Sequence, residues 1–302
     1  MVVCLSAVLV ACGGGGEDAG DGGSGGDGST GSRVHRYVDM ALPASAAQLN
    51  AQGLLGFRYI GAKGYEGANR TLLVNDAAVA YTYEVLATPA TPQALVDQMN
   101  AQGSRGFRLT RYNLENATYV HVTNSTEKFT YEAVDRGPAG GIPAATFVAA
   151  ANARGAAGFR LHRVLLSNLT SGNFVDVWEK SSVAATYAVR VEELAANETA
   201  QLARLDANGQ AGYRLHSVQL FADANVAMFE RDTTPGNEKS TFRYFTDVSG
   251  TSVTDLAAQA NRQGALGRGF DGTLAQFGSL RNLYVLAANC RGLLCDVRGS
   301  WI

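Results

Sequence analysis

In Tyr81-Thr82-Tyr83-Glu84-Val85 large aromatic or apolar residues alternate with polar ones, the period-two pattern of a half-buried strand. The period then changes. Leu95, Val96 and Met99 form an apolar stripe at helical spacing, and Thr91-Pro92 supplies an N-cap and a first-turn proline. Gly103 is expected to end that helix as a C′ glycine of positive φ, which predicts a helix over 92–102. Gly106 allows a tight turn into a second strand over 107–112, a turn at 113–116 leads to a third over 118–122, and alternation resumes at Phe129. The unit is strand, helix, strand, strand.

The unit recurs. Asn50-Ala51-Gln52-Gly53 followed by Gly56-Phe57-Arg58 returns as Asn100-Ala101-Gln102-Gly103 with Gly106-Phe107-Arg108, and as Asn152-Ala153-Arg154-Gly155 with Gly158-Phe159-Arg160. A fourth copy runs from Asp206 to Arg214, and a looser fifth from Asn261 to Gly267. The first glycines stand at 53, 103, 155, 209 and 264, a spacing near fifty residues that marks a repeat protein. The organisation expected is 34–80, 81–128, 129–184, 185–240 and 241–302, with Pro43 and Pro143 as first-turn prolines and Asn197 as the fourth helix cap. In the fifth unit Arg268 and Gly269 read as an insertion before Phe270, so that Asp271 takes the place of the repeated arginine. Worn terminal units are what capping an array requires. Units this short are at the lower limit for folding alone, so neighbours must share buried surface. The class is α+β: five tandem repeats, mostly antiparallel sheet with helices on one face, expected as an open array and not a closed five-fold ring.

Two polar positions recur with the motif. Asn50, Asn100, Asn152, Asp206 and Asn261 lie three residues before the first glycine, where a short side chain is expected to bond backbone groups left open at the turn. Arg58, Arg108, Arg160 and Arg214 follow the aromatic and are the candidate ligand-binding residues. They have two readings: ion pairs across strands with carboxylates such as Glu84 or Glu132, or convergence on an anion if the units close into a ring. His162 and His216 stand two residues after the arginine where other units have Ile60 and Thr110, which reads as a semi-exposed strand position and not as a ligand.

The N-terminus is of a different kind. Residues 2–11 are uncharged and rich in Val, Leu and Ala, too short for a membrane-spanning helix of ~20 residues but suited to the apolar part of an export signal. No Lys or Arg precedes them, and the true start is expected further upstream. Eleven glycines and four acidic residues follow within 13–32, so 13–33 is expected to be a disordered tether with a reach of roughly 25 Å. Without it, 23 acidic residues face 25 basic ones and no basic run appears, which argues against nucleic acid as a partner. Cys290 and Cys295 are expected to pair in an oxidising compartment, a free catalytic thiol or a metal pair being the alternative.

Leu9-Val10-Ala11-Cys12 resembles the lipobox of bacterial lipoproteins, which implies that 1–12 is a signal ending at an acylated Cys12 and that the protein is lipid-anchored in the cell envelope, at the outer membrane or periplasmic face. The repeat resembles a short, uncharacterised bacterial domain group with a Leu-Asn-x-x-Gly-x-x-Gly-aromatic turn, a resemblance that implies a fold and no chemistry. Five such units also match in number and size the five-bladed propellers called penteins, whose hydrolases use a central cysteine with histidine and carboxylates. No nucleophile elbow, zinc-helix motif, phosphate loop or calcium loop is present, and no cofactor or metal is expected. The expectation is a non-catalytic binding or scaffolding module, its partner an envelope protein or glycan, with a pentein-like hydrolase at the centre of a closed ring as the alternative.

Overall fold

The computed structural model describes residues 34–301 apart from 43, 66–67, 76–78, 139–140, 167–172, 251, 277–278 and 298–299. Cys12, the export signal, the tether and Pro43 lie outside the described residues. The first unit comprises β1 (Arg36–Ala41), α1 (Ala46–Leu54), β2 (Arg58–Tyr65) and β3 (Ala68–Asn75). The second is β4 (Tyr81–Ala87), α2 (Pro92–Gly103), β5 (Arg108–Tyr112) and β6 (Asn116–Val122). The third is β7 (Phe129–Pro138), α3 (Ala144–Ala156), β8 (Phe159–Leu166) and β9 (Asn173–Ser181). The fourth is β10 (Tyr187–Glu193), α4 (Glu198–Gln210), β11 (Arg214–Leu220) and β12 (Asn225–Asp232). The fifth is β13 (Thr241–Val248), α5 (Val253–Ala265), β14 (Gly269–Gln276) and β15 (Ser279–Ala288), followed by a 3-10 turn (Leu293–Cys295) and β16 (Ser300–Trp301). The strands form five separate antiparallel sheets with the third strand of each unit in the middle; β16 adds to β14 in parallel.

Each helix packs on its own second strand and on the first strand of the following unit. That first strand is a sheet edge, and an edge leaves backbone groups open on its outer side. The recurrent asparagine fills them. Asn50 Oδ1 accepts from Tyr83 N at 2.7 Å while its Nδ2 donates to Tyr83 O at 3.0 Å. Asn100 does the same for Tyr131, and Asn152 for Val189. Asp206, which has no donor, accepts from Tyr244 N alone. The side chain therefore does not serve its own turn, as the sequence suggests. It clamps the next unit.

The two glycines of the motif divide the remaining work differently from the expectation. Gly103 is the last residue of α2 and not a positive-φ cap. A Cβ there would stand 2.2 Å from Phe129 O, and one at Gly53 2.2 Å from Tyr81 O, so the first glycine lets a neighbouring strand carbonyl reach the helix backbone. The second glycine carries the turn, with φ of 87° at Gly106. Pro143 is the N-cap of α3 and not its first-turn residue.

The array is closed, which overturns the open arrangement expected from the sequence. Asn261 of α5 clamps β1 of the first unit, accepting from Tyr37 N at 2.8 Å and donating to Tyr37 O at 2.9 Å. His35 N donates to Gly264 O at 3.0 Å, and a Cβ at Gly264 would meet His35 O at 2.2 Å. Tyr37 Oη accepts from Phe270 N at 2.7 Å, just as Tyr83 Oη accepts from Tyr59 N and Tyr244 Oη from Leu215 N. One core cluster joins Tyr37, Leu72 and Val74 of the first unit to Leu256, Ala260, Phe270 and Tyr284 of the fifth. The closure joins helix to strand, and the sheets remain five.

The fifth unit also carries no insertion. Gly269 stands opposite Val285 as Arg214 stands opposite Glu230, and the register shift falls between Phe270 and Gly272 as it does between Leu215 and Ser217. Gly269 thus replaces the repeated arginine, and Asp271 occupies the bulge position of Ile60, Thr110, His162 and His216. A Cβ at Gly269 would lie 2.8 Å from Val297 Cγ2, so the exchange makes room for the C-terminal tail.

Asn261→Ala leaves two partly buried backbone groups of Tyr37 without partners and is expected to cost about 2 kcal/mol in urea unfolding, with Gly264→Ala costing more because the obstacle is backbone. Losses below about 0.5 kcal/mol in both would contradict the closure.

Candidate functional site

The second strands β2, β5, β8 and β11, together with the tail, surround a cavity of about 1150 Å³. Each of these strands carries the repeated arginine as its first or second residue, so ring closure brings Arg58, Arg108 and Arg160 to one wall, while Arg214 is fully buried beside it. Their partners are not Glu84 and Glu132, which bind Arg105 and Arg154 nearer the surface. Instead three of the four arginines reach a carboxylate of the next unit. Arg108 Nε lies 2.7 Å from Glu179 Oε2, Arg160 Nη2 3.0 Å from Glu230 Oε2, and Arg214 pairs with Asp271. These pairs are buried: Glu179 is 0% and Glu230 1% exposed. An unpaired charge at such a depth would cost several kcal/mol, so each pair also fixes which unit follows which.

The tail takes the remaining donors. Arg58 Nη2 donates to Val297 O at 3.0 Å, Arg214 Nη1 donates to Asp296 O at 2.6 Å and to Leu294 O, and Arg108 Nη1 stands 3.9 Å from Asp296 Oδ2. Cys290 and Cys295 are joined in a disulfide that closes the 3-10 turn, and Leu294 is buried in the core between the fourth and fifth units. Three of the four arginines thus converge on the cavity and three are ion-paired, though not with Glu84 or Glu132; carboxylates and tail carbonyls use up most of their donors, Arg214 Nε excepted.

Two other cations on the same wall are not used up. Arg111 and Arg163 hold the position after the bulge, where the other units have Gly61, Ser217 and Gly272. Among the described residues neither stands within ion-pair distance of a carboxylate; the ion pairs at this wall belong to Arg108, Arg160 and Arg214. The Arg163 guanidinium lies over the Tyr112 ring at 5.3 Å, and its Nε has no hydrogen-bond partner. Burial pulls the Arg163 pKa down from the usual guanidinium value. Both cations are close enough to Tyr59 to oppose the upward shift that burial imposes on its phenol. Sequence reasoning passed over them because only two of five units carry them. That irregularity, a charge where the repeat otherwise has a small residue, was the available signal.

His162 and His216 also face this cavity from the bulge, rather than standing on an outer strand surface. His162 Nδ1 lies 3.2 Å from Glu179 Oε2, and its side chain is 7% exposed. Glu179 remains a carboxylate: burial alone would raise its pKa, but Arg108, then His162 and Arg160, hold it at about 2. Facing that carboxylate, Nδ1 carries the proton of the neutral ring. Nε2 is buried, has no partner, and presents a lone pair. Burial holds the imidazole well below its usual pKa against the pull of Glu179, and Arg163, Arg108 and Arg160 push it the same way. His216 differs: Nε2 lies 2.9 Å from Leu161 O and Nδ1 2.8 Å from Ser217 Oγ. Among the described residues no cluster of His, Cys, Asp and Glu has metal-binding geometry, and no helix is long and apolar enough to cross a membrane.

No protein family, curated protein or solved structure matches this chain.

The depressed His162 pKa has a sign. Below pH ~6.5 the unfolded chain binds a proton that the folded imidazole refuses, so this residue removes stability as pH falls. His162→Thr, which installs the residue of the equivalent position 110, should flatten the fall in unfolding free energy between about pH 6.5 and pH 5 by up to about 1.4 kcal/mol per pH unit. A slope equal to that of the parent protein would contradict the assignment.

Proposed function

We propose that the protein is a non-catalytic binding module of the cell envelope, held to a membrane by lipid on Cys12, with the central cavity as its binding site. One observation carries the reading: the ring uses Arg58, Arg108, Arg160 and Arg214 to hold its units and tail together, whereas Arg111 and Arg163 face the cavity with no carboxylate within ion-pair distance among the described residues. Half-buried cations without an ion-pair partner carry a desolvation cost, and a ligand that neutralises them recovers it on binding. The lipid anchor rests on Leu9-Val10-Ala11-Cys12 and the glycine-rich stretch after it. Gly13 after the acylated residue favours the outer membrane, since Asp at that position is what directs retention at the inner one.

A hydrolase at the same centre is favoured by one contact, the 2.8 Å approach of His216 Nδ1 to Ser217 Oγ. Its other nitrogen meets the Leu161 carbonyl and not a carboxylate, which gives the imidazolium of a base mechanism little support. Pentein-type thiol chemistry lacks a free sulfur among the described residues, because Cys290 and Cys295 are bonded to each other.

Cys12→Ser should release the protein from membranes into the soluble fraction, and unchanged membrane fractionation would refute the anchor. Dialysis of the full chain against an extract of small envelope compounds, read by mass spectrometry, should enrich an unaltered molecule. Val218→Trp, which places an indole in the cavity, should abolish that enrichment. Recovery of cleaved fragments would support the hydrolase instead.

A further inference from the structure

Among the described residues Arg111 and Arg163 make no ion pair with a carboxylate of the ring, His162 keeps Nε2 without a partner, and all three line one cavity. We propose that they form a binding site for a small oxyanion that also carries a hydroxyl group, the two guanidinium groups taking the anion and His162 Nε2 accepting the hydroxyl proton. This proposal rests on the reading of the cavity as a binding site and names its ligand class.

The geometry supports each half. Guanidinium groups pair with carboxylate and phosphate oxygens in a two-pronged fashion, and Arg163 keeps its Nε free for that contact while Tyr112 holds the plane of the group. Arg111 approaches from the second unit and Arg163 from the third, so a bound anion bridges two units. The imidazole sets the second requirement. Its Nδ1 is engaged by Glu179, which leaves an acceptor at Nε2, and an acceptor attracts an O–H and repels a bare anionic oxygen. The size of the cavity, about 1150 Å³, suits a small molecule. Tail residues 290–293 and 295–297 form part of its lining. Two sources share this chemistry: a phosphate that retains a hydroxyl, and a hydroxy acid such as a uronic acid.

The test is titration calorimetry on the full chain in detergent near pH 7, with inorganic phosphate, D-glucuronate and acetate as probes. Phosphate or glucuronate should bind saturably, and the tighter of the two identifies the source. Acetate, which has a carboxylate and no hydroxyl, should bind at least about tenfold more weakly. Arg111→Gln and Arg163→Gln should each weaken binding on the order of 10- to 100-fold, and His162→Thr should remove the preference over acetate. Should the Arg163 variant not fold, Arg111→Gln, at a half-exposed position, carries the test alone. Absence of saturable binding by both hydroxylated anions, or binding that the arginine variants leave unchanged, overturns the proposal. If dialysis enriches a neutral molecule while the anions do not bind, the cavity reading stands and the ligand class falls. If nothing is enriched and nothing binds, both fall.

Discussion

The contact of each helix with the edge strand of the following unit is the constraint on which the rest of this molecule depends. It needs a glycine in the last helical turn, since any side chain there would meet a strand carbonyl at about 2 Å, as at Gly155 and Gly209. It also uses a short polar side chain three residues earlier, an amide in four units and Asp206 in the fourth, on the backbone groups that an edge strand leaves open. A unit near fifty residues long cannot bury its own core, and the core clusters show how that is resolved: Leu49, Tyr59 and Leu73 of the first unit pack with Tyr81, Tyr83 and Val120 of the second. Because the last helix meets the first strand through the same contact, no unit's first strand is left uncovered.

Closure changes what the arginines mean. In an open array they would be surface charges of small energetic consequence. In the ring Arg160 and Arg214 are buried and Arg108 reaches a fully buried carboxylate, which makes these three dependent on the next unit, so that Glu179, Glu230 and Asp271 read the order of the repeats. The fifth unit has no arginine at this place, and the space it leaves admits the disulfide-clipped tail, whose carbonyls then serve Arg58 and Arg214. Structure and candidate function therefore separate by position along a single strand: the first residue builds the ring, and the bulge and its successor face the ligand.

Much of the unit was legible in the sequence and little of its assembly was. Alternation and helical spacing located the elements of the second unit, and α2 ends within a residue of its expected limit. The partner of Asn100 lay beyond such reasoning, because Tyr131 is 31 residues away and belongs to another unit. For Asn261 the partner stands 224 residues back along the chain. Local pattern carries no information on a contact of that range, which is why an open array was expected. The fifth unit was misread because Phe270 was matched to the aromatic position; the glycine spacing, Gly264 to Gly267, was the sounder guide, with Arg268 where other units have Phe or Tyr. Arg111 and Arg163 escaped notice for the opposite reason, since they break the repeat instead of expressing it.

Hydrogen exchange at the Tyr37 amide tests the closed ring most directly. In an open array this amide lies on the free edge of a terminal sheet and exchanges at nearly the rate of an unstructured chain. In the ring it donates to Asn261 Oδ1 beside a shared core, and its protection should match that of the Tyr83 amide, which Asn50 holds in the same way. Equal protection at the two sites is the expected result. Rapid exchange at Tyr37 with Tyr83 protected would mean that the ring is open.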